Sequence, residues 1–426
     1  MNTSLVRYVL IALLVVMLAA LAGWYVFLKG EKEDIAKDDL SRGAGEAPPI
    51  SLDAGSTYEN IVSSFSSFVG GVVQSEKPEG SRLMQVGKTP TAGYGFVEKD
   101  GKTKLRFVER GAGYVFDVTP ETGSLERVTN TLSPRTYEAL VAGDHVVLRG
   151  LEEGGVVTTM LGTIMASTSG QAEPVSLKQR RLVDGIRAIA IDPSGNTLFY
   201  LIETPSGGSG VRIFWDGSGE KQLLSSVIVG WKIDVLEKGQ VVLTQNAEDS
   251  VPGHAYRVEN GVLKPIATDV QGLTFLSRPD SRAYLYGESA GTLSLFARVS
   301  ETSSPIELPV RTIADKCTWV PSSTPDSAKA TAGKKAAEDK LANLVAYCAV
   351  PQKSPPPDFL GRWYRGEVHT ADAWWKVDVR ANSAEPLYAS ANATFDVENP
   401  IIDPDGTYIA FRSASVNTLW LLRIAE

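Results

Sequence analysis

The chain has 426 residues, enough for one large β domain or two ordinary ones, and its formal net charge of −8 implies no basic surface and argues against a nucleic-acid partner. Its 39 glycines and 23 prolines suit a fold of many short strands joined by tight turns. With only two cysteines, Cys317 and Cys348, a Cys-rich metal site or a disulfide-dense small domain is excluded.

A short tail, residues 1–7, precedes an uncharged apolar stretch from Tyr8 to Leu28 (YVLIALLVVMLAALAGWYVFL). A bilayer needs about 20 such residues, so 8–28 is predicted to be a transmembrane signal-anchor. Trp24 and Tyr25 sit toward its outer end, where amphipathic rings favour the headgroup region. Ala20-Leu21-Ala22 also fits a signal-peptidase site, but apolar residues continue past it, which favours an uncleaved anchor. Arg7 alone precedes the span, while Lys29, Lys32, Lys37 and Arg42 follow it, a bias that points the bulk of the chain inward. Long domains translocate largely regardless of such charge, and the expectation here is a domain on the extracytoplasmic side.

Residues 29–80 read as a linker. Its first part, to about Ser56, is charged and then Gly/Ala/Pro-rich, and the structure of 57–80 is left open. From Ser81 onward the pattern changes to short apolar or alternating runs between turns, such as Val146-Val147-Leu148, Val241-Val242-Leu243 and Ile409-Ala410-Phe411. Three segments repeat one plan: AIAIDPSGNTLFYLIE at 188–203, GLTFLSRPDSRAYLYGES at 272–289 and NPIIDPDGTYIAFRSA at 399–414. Each is a strand, a Pro-containing turn and a second strand carrying an aromatic. Turn residues Gly101, Gly143, Gly195, Gly239, Ser281 and Gly406 recur near the ~40–45 residues of a four-stranded propeller blade.

The wide gap before Gly406 leaves room for one further, enlarged blade between Cys317 and Val379. The predicted fold is therefore an all-β propeller of about seven blades over residues 81–426. GYVFDVTPETG, WWKVDVRANS and TLWLLRIAE read as third strands. The last ends the chain, so the final blade lacks a fourth strand, and Ser81–Val86 is predicted to supply it by pairing with the terminal strand.

DPDGTYIAF…LWLLRI, together with DPSGNTLFYLIE…VRIFWD, resembles the TolB-like and WD40-like bacterial propellers. With its N-terminal anchor, the chain is similar to a membrane-anchored group of uncharacterised function. The resemblance implies a propeller in the cell envelope, on a bacterial cytoplasmic membrane, and carries no activity. The Gly-His…Trp-Asp pair that marks each eukaryotic WD40 repeat does not recur: Trp215-Asp216 and Gly253-His254 each occur once, in the reverse order, so a signalling-scaffold role is not implied.

Gly287-Glu288-Ser289-Ala290-Gly291 matches a nucleophile elbow, yet it lies between two strand-like runs where the chemistry needs a strand followed by a helix; it is read as a hairpin turn. Both GKT triplets, at 87–89 and 101–103, lack the upstream glycine of a P-loop. Asp403-Pro404-Asp405-Gly406 lacks the later acidic ligand of a calcium loop and is read as a turn. His145, His254 and His369 stand singly, without zinc-ligand spacing. No catalytic, metal or cofactor residue is assigned.

Residues 321–343 are an Ala/Lys-rich insertion within a blade, either a solvated loop or a short exposed helix. After Pro355-Pro356-Pro357 come Arg362, Trp363, Tyr364 and Arg365, a residue mix suited to a binding surface; they are the candidate partner contacts, with Trp375 assigned to the core. KCTWV at 316–320 and LVAYCAVP at 344–351 fall as first and second strands of one blade. Opposed strands would bring Cys317 and Cys348 within disulfide reach, the alternative being two buried thiols. The expected function is a protein- or envelope-polymer-binding or scaffolding module. The alternatives are a channel-mouth hydrolase or lyase using carboxylates from several blades, and an assembly factor for envelope proteins.

Overall fold

The computed structural model describes residues 73–74, 82–152, 154–165, 175–249, 251–280, 282–321, 344–390 and 394–424. The expected membrane span 8–28, nearly all of the linker, Ser81, Ser281 and almost all of the 321–343 insertion lie outside the described residues. No helix among those described is long and apolar enough to cross a membrane.

Seven antiparallel sheets form a seven-bladed β-propeller, each sheet built in simple up-and-down order. Blade 1 holds Thr91–Lys99, Lys102–Glu109, Val115–Val118 and Ser124–Arg127, with Val73–Gln74 added at its outer edge. Blades 2 to 5 begin at Thr136, Ile186, Trp231 and Thr274 and each contributes four consecutive strands. Blade 6 comprises Cys317–Trp319, Val345–Pro351, Asp372–Asp378 and Ser383–Tyr388. Blade 7 has Val397–Ile402, Tyr408–Ser413 and Thr418–Arg423, and takes its fourth strand from the start of the domain, Leu83–Gln85.

The turn chemistry behind the repeat is visible atom by atom. Asp192 Oδ1 accepts the backbone N–H groups of Asn196 (2.8 Å) and Thr197 (3.1 Å), and Asp403 Oδ1 accepts those of Thr407 (2.7 Å) and Tyr408 (2.8 Å). Each aspartate thus closes its own hairpin, which is why the residue type recurs there. Gly101, Gly143, Gly195, Gly239 and Gly406 all have positive φ and all lie between the first and second strands of their blades. The apolar runs singled out above, Val146–Leu148, Val241–Leu243 and Ile409–Phe411, are buried second strands.

Closure follows the predicted pairing. Leu83, Met84 and Gln85 face Leu422, Leu421 and Trp420. The ladder extends at both ends, from Arg423 N to Arg82 O (2.7 Å) and from Val86 N to Leu419 O (2.9 Å). Met84 and Val86 are buried in the cluster shared by blades 7 and 1. Six further clusters fill the other interfaces between neighbouring blades, so the core is a ring of seven separate seams. One seam holds the Cys317–Cys348 disulfide, whose residues are directly opposed on the first two strands of blade 6 with Cα atoms 4.1 Å apart.

The two ends of the ring differ. At the lower end lie the turns between first and second strands and between third and fourth. At the upper end lie the blade-to-blade connections and the turns between second and third strands, the longest of which is the 352–371 insertion of blade 6.

Candidate binding face

The 352–371 insertion shapes the upper face. After the proline run it forms one short helix, α1 (Phe359–Tyr364). Phe359, Leu360 and Trp363 pack on Leu293 and Ile313, an apolar cluster of its own over blade 5. The insertion reaches further, because Gly361 N donates to Asp249 Oδ2 of blade 4 (3.2 Å). The other oxygen of Asp249 accepts the Ser289 hydroxyl at 2.8 Å. Ser289 is the last residue of a strand paired with the next one across a short turn, so the G-x-S-x-G match is a hairpin and its serine is a buried structural donor.

These placements correct part of the sequence reading. Trp363 is not a surface anchor: it is 2% exposed and its Nε1 donates to Asp396 Oδ1 at 2.7 Å. A helix with one apolar face had a blade top to pack on, and the largest ring went inward. Arg362 lies on the outer side of α1 and pairs with Asp358 (3.3 Å). Arg365 pairs with Glu367 (2.7 Å). Trp375 is only partly buried, against the seam of blades 5 and 6, while the neighbouring Trp374 is the buried ring.

Between α1 and blades 4 and 5 opens a groove of about 340 Å³. Leu273 and Phe275 form part of an apolar floor, and Lys232, Gln245, Asn246, Glu248, Asp315, Tyr364 and Arg365 supply polar groups. Asp315 ties three elements together: Oδ1 accepts the Lys232 ammonium at 2.6 Å and Oδ2 accepts the Tyr364 hydroxyl at 3.0 Å. Burial pulls the Lys232 pKa down, but the carboxylates of Asp315 and Asp234 more than offset it, so the ammonium is held charged. Asp234, on the first strand of blade 4, is shifted up by burial despite that ammonium.

Beside the groove lies an ionic cluster whose Lys316, Asp372 and Asp396 side chains are fully buried. Four oxygens surround the three N–H groups of the Lys316 ammonium: Asp372 Oδ2 (2.6 Å), Asp396 Oδ1 (2.7 Å), Thr370 Oγ1 (2.9 Å) and Val397 O (3.1 Å). Asp396 also receives Trp363 and, through Oδ2, the His369 ring nitrogen at 2.8 Å. The cluster fixes the base of the helix that walls the groove. Among the described residues no group of three or more His, Cys, Asp or Glu side chains is placed to hold a metal ion.

Of the predicted contacts, Tyr364 and Arg365 line the groove, whereas Arg362 and Trp363 do not. Lys232, Gln245, Asn246, Glu248 and Asp315 are lining residues that the sequence reading misses. Their signal is positional: all fall at or beside upper-end loops once the phase of each blade is known, but nothing local distinguishes them from ordinary loop polar residues.

The fold and this face define a seven-bladed β-propeller with a grooved upper end. An oligogalacturonate lyase in complex with manganese is similar, with TM-score 0.52 and 11% identity over 81% of this chain and 93% of the lyase. YCF48 from Cyanidioschyzon merolae gives TM-score 0.49 and 11% identity over 80% of this chain and 99% of its own. TolB from Acinetobacter baumannii gives 0.37 and 10% over 75% and 59%. At these identities the likeness is one of fold. No protein-family model matches the chain, and no curated protein matches it.

Proposed function

We propose that the protein is a membrane-anchored, extracytoplasmic binding module whose groove holds a segment of a protein or of an envelope polymer. The observation that carries this reading is the Lys232–Asp315–Tyr364 trio set over an apolar floor. Fixed polar groups above apolar surface orient a ligand and reward its burial, which is the usual make-up of a binding site. The groove is large enough for one residue or sugar unit of a longer chain. Asp315 is engaged on both oxygens by a cation and a phenol, an arrangement better suited to fixed recognition than to carrying protons. An anchor at residues 8–28 would hold the propeller at the envelope. The Cys317–Cys348 bond supports export, since cytosolic thiols are normally kept reduced.

A photo-crosslinking amino acid in place of Arg365, at the groove, is compared in native membranes with the same probe at Glu121, in a lower-end turn. A discrete adduct from position 365, absent from position 121 and lost on adding Lys232→Ala, is expected. Identical products from the two ends, or none from position 365, would overturn the assignment.

A further inference from the structure

Twelve large hydrophobic side chains are exposed among the described residues, and nine of them lie at the upper end of the ring. Eight of the nine occupy neighbouring loops in one arc. They include Leu132 between blades 1 and 2, Val156 in the blade 2 turn and Val183 between blades 2 and 3. Val227 and Val229 follow between blades 3 and 4, and Val251 in the blade 4 turn. Val227 is the most exposed of the twelve, at 86%. Among the described residues the lower end shows Met165, Phe214 and Val262. Within the arc Arg181 bridges Glu152 (3.2 Å) and Asp184 (2.9 Å).

An independent observation concerns where the rest of the chain arrives. Val73–Gln74 pairs antiparallel with the outer strand of blade 1, Val73 against Leu125 and Gln74 against Ser124. That outer strand runs from the lower end to the upper, because Arg127 leads into the connection to blade 2. Val73 is therefore the upper residue of the pair, so the chain enters this pairing at the end that carries the apolar arc and leaves it toward the lower end.

We propose that this arc rests on the surface of the bilayer that holds the anchor. The inference depends on the anchoring half of the reading above and adds the orientation of the propeller to it. Loop-tip Leu, Val and Ile side chains spread over four blades present separate protrusions rather than a slot, and a deformable flat surface can meet all of them at once. Apolar residues entering the headgroup boundary gain in proportion to the area they bury, and a second weak attachment strengthens the first. The groove then opens beside the membrane, so the ligand it takes is presented at the lipid surface.

The test uses the full chain reconstituted in phosphatidylethanolamine–phosphatidylglycerol vesicles containing a lipid with dibrominated acyl chains. Because the native cysteines are paired, a single added cysteine carries an environment-sensitive fluorophore at Val183→Cys, Val227→Cys or, as the lower-end control, Phe214→Cys. In vesicle-floated protein the labels at 183 and 227 are expected to be quenched about twofold or more, and the label at 214 not at all. Floated protein with both ends equally unquenched overturns the orientation and leaves the anchor standing. Protein that fails to float overturns the anchor, and the orientation with it. Upper labels shielded in native membranes yet unquenched in pure lipid would mean that a protein covers the arc, which also refutes the proposal.

Discussion

Replacing Lys316 with methionine tests whether the buried cluster beside the groove is organised around its one ammonium. The Lys316, Asp372 and Asp396 side chains are all 0% exposed, so two carboxylates share one cation and water cannot compensate its loss. Asp372 Oδ1 has no hydrogen-bond partner, so without Lys316 that carboxylate keeps only the neutral Val397 N–H at Oδ2 (2.8 Å). Breaking a buried pair by removing one member costs about 3–5 kcal/mol, and Lys316→Met belongs in that range: Asp372 loses its cation, while Asp396 keeps Trp363, Thr370 and His369. Asp396→Asn keeps an acceptor for Trp363 and leaves a neutral Lys316–Asp372 pair, so it should cost only about 1.5–3 kcal/mol, the worth of a hydrogen bond to a charged group. Urea unfolding of the detergent-solubilised chain, followed by tryptophan fluorescence, measures both. If Asp396→Asn proves as destabilising as Lys316→Met, or if Lys316→Met costs under about 1 kcal/mol, the charge-based account is wrong.

Ring closure makes a second prediction: a protein beginning at Lys88 loses the strand facing Leu421 and Leu422 and the buried Met84 and Val86, and should unfold at a lower midpoint than one beginning at Ser81. Equal midpoints would mean that the terminal strand needs no partner. A third concerns Cys317 and Cys348. In the unfolded protein taken from membranes, neither should be alkylated before reduction and both should be alkylated after it. Two reactive thiols without reductant would remove the disulfide and with it the redox support for an extracytoplasmic location.

Features set by near neighbours in sequence are legible in the chain itself. Asp192 and Asp403 cap turns through backbone groups four and five residues on, so the repeat they mark survives as a string of letters. Counting strands from those turns leaves blade 7 one short, and the strand-like run just before blade 1, at Leu83–Gln85, is free to fill it. The same count puts Cys317 and Cys348 on adjacent strands. The groove is hidden for the opposite reason. Trp363 looks like a loop aromatic until Leu293 and Ile313, distant in sequence, offer it a surface to pack on.

Lys316 reads as an ordinary solvated charge because its two carboxylates lie 56 and 80 residues away. Asp315 and Lys316 are consecutive, yet they face different partners. One ties Lys232 of blade 4 to Tyr364 of α1 in the groove, and the other joins the start of blade 6 to Asp372 and Asp396 beneath the helix. That dipeptide couples the site to the scaffold: loosening the buried half frees α1 at Asp396, and α1 carries the groove's phenol. Lys316→Met should therefore lower both the stability and the yield of the adduct at position 365, a linkage that requires the folded ring.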